Sequence, residues 1–241
     1  MLHGLTGHPD EMRPLAEALA AEGFAVHVPR LAGHATDVAD LARTSWSDWF
    51  RSATRGFEAL AAEVPRVAVA GLSMGSLLAL HLAATRAEVA GLVCAATPIR
   101  LADWRTRLVP LAAQIPALRR RLALIPKRGG PDVSDPAARA ASPSYRATPL
   151  VAVHEMLRLR GMVVRELPWI TQPTLVLHGR YDRTVRTSSV RVLRRRLRSR
   201  VVETHVLQRS AHVLTVDVDR DEIGRVVADF LGRVERATPG G

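Results

Sequence analysis

The chain has 241 residues, 47% of them hydrophobic, and a formal net charge of +11, which is length enough for one large α/β domain with a buried core and excludes wholesale disorder. No apolar run reaches the roughly 18 residues of a membrane span, and the opening "MLHGLTGHPDEM" lacks the basic-then-apolar order of a secretory leader. Cys94 is the one cysteine, so an intrachain disulfide is excluded and a reducing, cytoplasmic setting is expected.

In chain order, "DEMRPLAEALAAEG" reads as a helix ending at Gly23, "FAVHVP" as a short strand and "LAGHATDVADLARTS" as a loop. "WSDWFRSATRGFEALAAE" is helical, with Trp46, Trp49, Phe50, Phe57 and Leu60 largely on one face. "RVAVAG" and "VAGLVCAA" are apolar runs suited to strands buried on both sides, joined by a serine corner and the helix "MGSLLALHLAATR". Cys94, inside the second run, is expected in the core.

The alternation breaks between about 100 and 170. Trp104, Leu108, Leu111, Ile115, Leu118, Leu122 and Ile125 recur at steps of four and three, and Pro110, Pro116 and Pro126 predict two or three short or kinked helices. "PKRGGPDVSDPAARAASPS" reads as a loop and "PLVAVHEMLRLRGMVVREL" as helix. The expected organisation is a core of 1–100 and 171–241, with residues 101–170 an insertion packed on it. Strand "PTLVLHG", helix "SSVRVLRRRLRS", strand "VVETHVLQ" and helix "RDEIGRVVADFLGRVE" then resume the α/β alternation, before a frayed tail "ATPGG".

The positive charge is almost wholly arginine, with Lys127 the one lysine. Its densest clusters, Arg119–Arg121 and Arg194–Arg196 with Arg198 and Arg200, read as solvated helix faces. The sparse aromatics give no interleaving of the kind that stacks on single-stranded bases, so no nucleic-acid partner is expected. Weak contact with an anionic membrane surface is the charge-driven alternative.

The chemistry concentrates at the serine corner. Gly71-Leu72-Ser73-Met74-Gly75 matches the G-x-S-x-G nucleophile elbow between a strand and a helix. A serine hydroxyl needs a base to take its proton, a carboxylate to orient that base, and N–H donors where the carbonyl oxygen turns negative. The order serine, acid, histidine points to Asp182, directly after "TLVLHGRY", and His212, in the loop after the last strand. Asp103 is the fallback acid, and His205, inside "VVETHVLQ", reads as structural. Met74 offers one oxyanion N–H, and "HGLTGH" offers a second through Leu5, with Gly4 and Gly7 allowing close approach.

"HGLTGHPDEMRPLAEALAAEGFAVHVPRLAGH", "VAVAGLSMGSLLAL", "PTLVLHGRYDRTV" and "SAHVLTVDVDRDEI" together resemble the α/β-hydrolase superfamily of serine hydrolases, and within it bacterial carboxylesterases and monoacylglycerol lipases. The resemblance implies a mostly parallel sheet flanked by helices, with the insertion as a helical cap whose apolar side lines an acyl pocket. It implies Ser73 as nucleophile, His212 as base then acid, Asp182 as orienting carboxylate, and no metal or organic cofactor. The implied substrate is a small-molecule ester of a medium-length acyl chain, or a monoacylglycerol. The same triad also serves thioesterases, acyltransferases and carbon–carbon bond hydrolases. Two departures stand out. Only Met1 and Leu2 precede His3 where the family has two or three strands, so the first strands are expected to be missing, which admits a non-catalytic binding protein as an alternative. Ala211 stands where the family often has glycine, which is tolerable at negative φ. His34 and His178 are expected to be structural.

Overall fold

The computed structural model describes residues 1–127 and 129–237. A 3-10 turn (Pro9–Met12) leads into α1 (Arg13–Ala21), followed by the one-turn α2 (Val38–Leu41) and α3 (Trp46–Ala61). Then come β1 (Val67–Leu72), α4 (Met74–Thr85) and β2 (Val89–Ala95). The inserted stretch holds α5 (Val109–Gln114), α6 (Pro116–Arg121), α7 (Pro136–Ala141) and α8 (Leu150–Glu166), with a two-stranded antiparallel ribbon of β3 (Leu124–Pro126) and β4 (Ala147–Pro149). The chain finishes with β5 (Thr174–Gly179), α9 (Ser188–Arg196), β6 (Val202–Leu207) and α10 (Arg220–Ala237). The last four residues of the expected tail lie outside the described residues.

The main sheet runs β1-β2-β5-β6, every pair parallel. Successive side chains of a strand point to opposite faces, and both faces are covered. Val69, Leu92, Cys94 and Val176 pack with α3, α4 and α8 through Trp49, Leu77, Leu80 and Leu159. Ala70, Val93, Leu175 and Leu177 pack on the other side with Leu15 and Leu19 of α1 and Ile223, Val227 and Phe230 of α10. This two-sided burial is why β1, β2 and β5 read as near-continuous apolar runs, whereas the edge strand β6, with Glu203, Thr204 and His205, is only partly buried. Cys94 is fully buried, and burial pushes its thiol pKa up to about 12.

Two expectations are corrected. "FAVHVP" forms no strand among the described residues. A strand exists through its ladder, and among the described residues no strand lies beside this segment; Met1 and Leu2 run between it and β1. Leu2 pairs with β1 through Leu2 N–H to Ala70 O (2.8 Å) and Leu72 N–H to Leu2 O (2.9 Å), and the Met1 amino group donates to His27 O. Beyond them a cavity of about 400 Å³ opens between Phe24, Val26, Val67 and Ala70, away from Ser73.

The second correction concerns the apolar stripe of the insertion. Pro110 and Pro116 sit in the first turns of α5 and α6, breaking the rod into short helices as the sequence predicts. The stripe itself does not pack on the core: Trp104 is 62% and Leu111 61% exposed, and Leu108, Ile115, Leu118, Leu122 and Ile125 are also exposed. Val109 and Ala112, outside the stripe, make the contact with Leu150, Val153 and Leu157 of α8. Periodicity marks a side of a helix, and the proline breaks leave a different side facing α8. Within the expected loop 126–144, Asp135 caps α7 by accepting from Ala137 N–H (2.8 Å), with Pro136 at the first helical position.

Candidate active site

Ser73 stands between the end of β1 and the start of α4 with φ 54° and ψ −119°. That left-handed backbone costs a non-glycine residue roughly 1–3 kcal/mol and is retained where the surroundings force it. The force is visible. Gly71 lies directly against Gly75, and Gly75 against the Leu2 carbonyl, so a Cβ on either would collide with main chain. Ser73 N–H also donates to Ala95 O at the end of β2 (2.8 Å).

Two loops bring partners to this corner from the same edge of the sheet. His212, after β6, has Nε2 2.9 Å from Ser73 Oγ and Nδ1 2.9 Å from Asp182 Oδ2. Asp182, after β5, accepts Thr184 and Val185 N–H groups on Oδ1, both at 2.8 Å, which leaves Oδ2 for the imidazole. Burial works against charge on both partners and is overcome on both. The Asp182 carboxylate, helped by Asp132 and Glu11, raises the His212 pKa. The His212 ring and the Val185 N–H hold the Asp182 pKa below its ordinary value.

The loop carrying Leu5 lies against the serine: a Cβ on Gly4 would be 3.4 Å from Ser73 Cβ. Among the described residues, neither Leu5 N–H nor Met74 N–H has a hydrogen-bond acceptor. His3 ties this loop down, Nε2 accepting from Leu31 N–H (3.3 Å) and Nδ1 facing Gly4 O (3.1 Å). Burial lowers its pKa to about 3, and that of His34, edge-on to His3 and Trp49, to about 4.

The alternatives fall elsewhere. His205 pairs with Glu222 of α10 (2.6 Å), and Asp103 caps a 3-10 turn through Arg105 N–H (2.9 Å). His178 is buried 3.7 Å from Asp182 Oδ2, beyond hydrogen-bond reach, and burial lowers its pKa. Ala211 keeps its φ out of the left-handed region. Among the described residues no three His, Cys, Asp or Glu side chains converge to hold a metal ion.

Sequence reasoning missed the acids that fasten this site. The carboxylate of Asp217, fully buried, accepts the N–H groups of Ala211 (2.7 Å), Ser134, Asp135 and Val218. Glu11, also buried, accepts the Ser144 hydroxyl, while Tyr145 N–H donates to Thr6 O (3.0 Å), so the inserted segment grips the Leu5 loop. Such ties join distant loops and leave no periodic trace. The only local cue was Asp135-Pro136, which marks a helix start.

A parallel sheet bearing a strained serine elbow, with an imidazole and a carboxylate converging from the two following strand ends, is the α/β-hydrolase fold. The chain belongs to the family described as Serine aminopeptidase, S33 (Hydrolase_4), which matches residues 1–219. It is 33% identical over 236 residues to a thermostable monoacylglycerol lipase of Bacillus sp. (strain H-257), covering 97% of this chain and 89% of the relative. It is 23% identical to a carboxylesterase of Bacillus subtilis (strain 168), covering 98% and 92%. Among solved structures, metagenome-derived lipolytic enzymes reported as LipS and LipT match with a TM-score of 0.86 and 27% identity, over 96% of this chain and 91% of that one. A soluble variant of the monoglyceride lipase of Saccharomyces cerevisiae matches in fold with a TM-score of 0.78 and 17% identity, over 97% and 85%.

Proposed function

We propose that this protein, a carboxylic ester hydrolase by kinship, cleaves medium-chain acyl esters or monoacylglycerols through a Ser73-His212-Asp182 triad and an acyl-enzyme. The reading rests on one observation above all, the unbroken hydrogen-bonded series from Asp182 through His212 to Ser73. Ser73 Oγ attacks the ester carbonyl as His212 Nε2 takes its proton, and Asp182 stabilises the imidazolium. The developing oxyanion is received by the N–H groups of Leu5 and Met74. Collapse expels the alcohol, which leaves with the proton from His212. Water, deprotonated by the same nitrogen, then releases the carboxylic acid and restores Ser73. The names of the relatives support an acyl ester or monoacylglycerol as substrate.

A fluorophosphonate probe tests the chemistry. Labelling at Ser73 in the parent, lost in Ser73→Ala, supports the nucleophile, whereas a folded parent that takes no label sinks it. A series of p-nitrophenyl esters then separates readings that share the triad, since a flat, negligible response at all acyl lengths refutes the esterase and leaves thioester or carbon–carbon substrates.

The exposed stripe supports a partner as well. Trp104, Leu108, Leu111 and Leu122 of the stripe, with Leu124 beside it, emerge among Arg105, Arg107, Arg119, Arg120 and Arg121, with Asp103 the one acid between 103 and 125. Large apolar groups ringed by cations fit an anionic bilayer. Cosedimentation of Ser73→Ala with phosphatidylglycerol vesicles, weakened by salt and by Leu111→Ser with Trp104→Ser, is the expected result. Equal retention on phosphatidylcholine, or self-association that lipid does not disperse, refutes it.

A further inference from the structure

We propose that Asp132, a residue of the inserted segment, is a positioning residue for the Ser73-His212-Asp182 site: it ties the loop of the base to the loop of the acid and so sets their separation. The inference rests on the triad reading above. Its ground is a set of contacts made by this one residue in two directions. The main-chain carbonyl of Asp132 accepts His212 N–H (3.0 Å) and Val213 N–H (3.1 Å). Its carboxylate accepts Arg183 N–H (2.8 Å), Arg183 Nε–H (2.8 Å) and the Thr184 hydroxyl (3.1 Å). Thr184 in turn donates its own N–H to Asp182. The Asp132 side chain is only 13% exposed, so these bonds compete poorly with water, whereas Arg183, at 70%, contributes its guanidinium from the surface.

The two loops also meet directly, through Arg180 N–H to Leu207 O (2.9 Å) and Tyr181 N–H to Ser210 O (3.1 Å), but these bonds lie ahead of Asp182 and His212, whereas Asp132 joins the residues at and beyond them: His212 and Val213 on one side, Arg183 and Thr184 on the other. β5 and β6 are neighbours in the sheet, but the strand ladder ends at Gly179 and Leu207, and the main-chain bonds that continue between the loops stop at Tyr181 and Ser210, short of the acid and the base. A base and an acid on separate loops hold a 2.9 Å contact only if something fixes the loops to each other. Nucleophilic catalysis is sensitive to such placement, and a misplacement of about 1 Å costs on the order of a hundredfold.

Charge adds a second readout. The titratable groups facing His212 are Asp182 from the loop after β5, His178 at the end of β5, Glu11 ahead of α1, and Asp132. Asp132 favours the protonated imidazole, so deleting its charge lowers the pH at which His212 gains a proton.

The test compares the parent with Asp132→Ala, Asp132→Asn and Thr184→Val, each normalised to active sites titrated with a fluorophosphonate, on a soluble p-nitrophenyl ester across pH. The expected result for Asp132→Ala is a fall in kcat of roughly tenfold to a hundredfold with KM little changed. The acid limb of kcat/KM moves to lower pH in both Asp132 variants. Both variants keep the main-chain tie to His212 and Val213, but only Asp132→Asn keeps a side-chain acceptor oxygen, so it recovers part of kcat while its acid limb stays at the lower pH. Thr184→Val removes one bond from the far side, moves kcat the same way by a smaller factor, and carries the test if Asp132→Ala fails to fold. A per-site kcat within twofold of the parent in all three variants, with an unmoved acid limb, overturns the proposal. A parent that takes no label at Ser73 overturns the triad reading first, a result distinct from that one.

Discussion

Gly71 and Gly75 touch main chain to main chain across the serine corner, so that a methyl group on Gly71 would collide with the carbonyl of Gly75 and the Ser76 nitrogen. Neither backbone can yield, because one ends a strand paired with β2 and the other begins a helix buried all round. Gly71→Ala is expected to destabilise the fold by more than about 3 kcal/mol, beyond ordinary overpacking. Gly23→Ala makes the control: its φ of +87° is strained for alanine, but open space surrounds it. There the loss is expected at about 1–2 kcal/mol, from the left-handed backbone alone. Urea midpoints of the two variants check the contrast, and equal losses refute the packing account.

The raised His212 pKa fixes the direction of the pH–rate profile. In the proposed mechanism His212 serves as a base, which works only when neutral, so kcat/KM is expected to fall as pH drops through a value above 6.5, the ordinary imidazole pKa. Asp182→Asn removes the largest group favouring the charged form. Its acid limb is expected at lower pH, with kcat down by about 10⁴-fold from the misoriented ring. An acid limb that stays put in this variant counts against Asp182 as the partner.

The sign for stability is opposite at the two kinds of histidine. Pairing with Asp182 raises the folded pKa of His212, so its contribution is fully present below pH 6.5 and is lost as pH rises through the raised value. His3 and His34 are buried neutral, with pKa values of about 3 and 4, so the unfolded chain gains protons below pH 6.5 that the folded one refuses. Each of them costs up to about 1.4 kcal/mol per pH unit between 6.5 and its folded value. Unfolding midpoints are expected to fall steadily from pH 6.5 to 4.5, and less steeply in His34→Gln.

Away from the site, His81 of α4 and Glu166 of α8 form a buried pair, Nδ1 to Oε2 2.9 Å, packed beside Phe50 and Trp46. Removing one member strands the other in a dry setting. Glu166→Ala is expected to cost about 3–5 kcal/mol of stability, while activity per folded molecule stays unchanged. Thermal unfolding and active-site titration separate the two quantities.

The parts of this molecule that were legible in the sequence share one property: their signal is local. The elbow at 71–75 announces itself within five residues, and Asp182 and His212 follow from their places just past the ends of β5 and β6. "FAVHVP" has the composition of a strand, yet strandhood depends on a neighbour, and among the described residues that side of β1 is met by a single bridge, Leu2 to Gly71. The stripe from Trp104 to Ile125 was correctly seen as a spacing, but spacing does not say which side meets α8. Asp132, Asp217 and Glu11 were invisible for a stronger reason. Their partners lie 51, 6 and 133 residues away in the bonds to Arg183, Ala211 and Ser144, and loop-to-loop bonds follow no period.

The stitching of residues 132–135 and 144–145 into three separate loops bears on how this enzyme can be re-engineered. A chimera made by exchanging the whole of 101–170 for another protein's segment would carry off the anchors of both the His212 loop and the Leu5 loop. Grafts that end before Pro131 and leave everything from there onward native keep those anchors, and should yield active hybrids where wholesale swaps yield folded but silent ones.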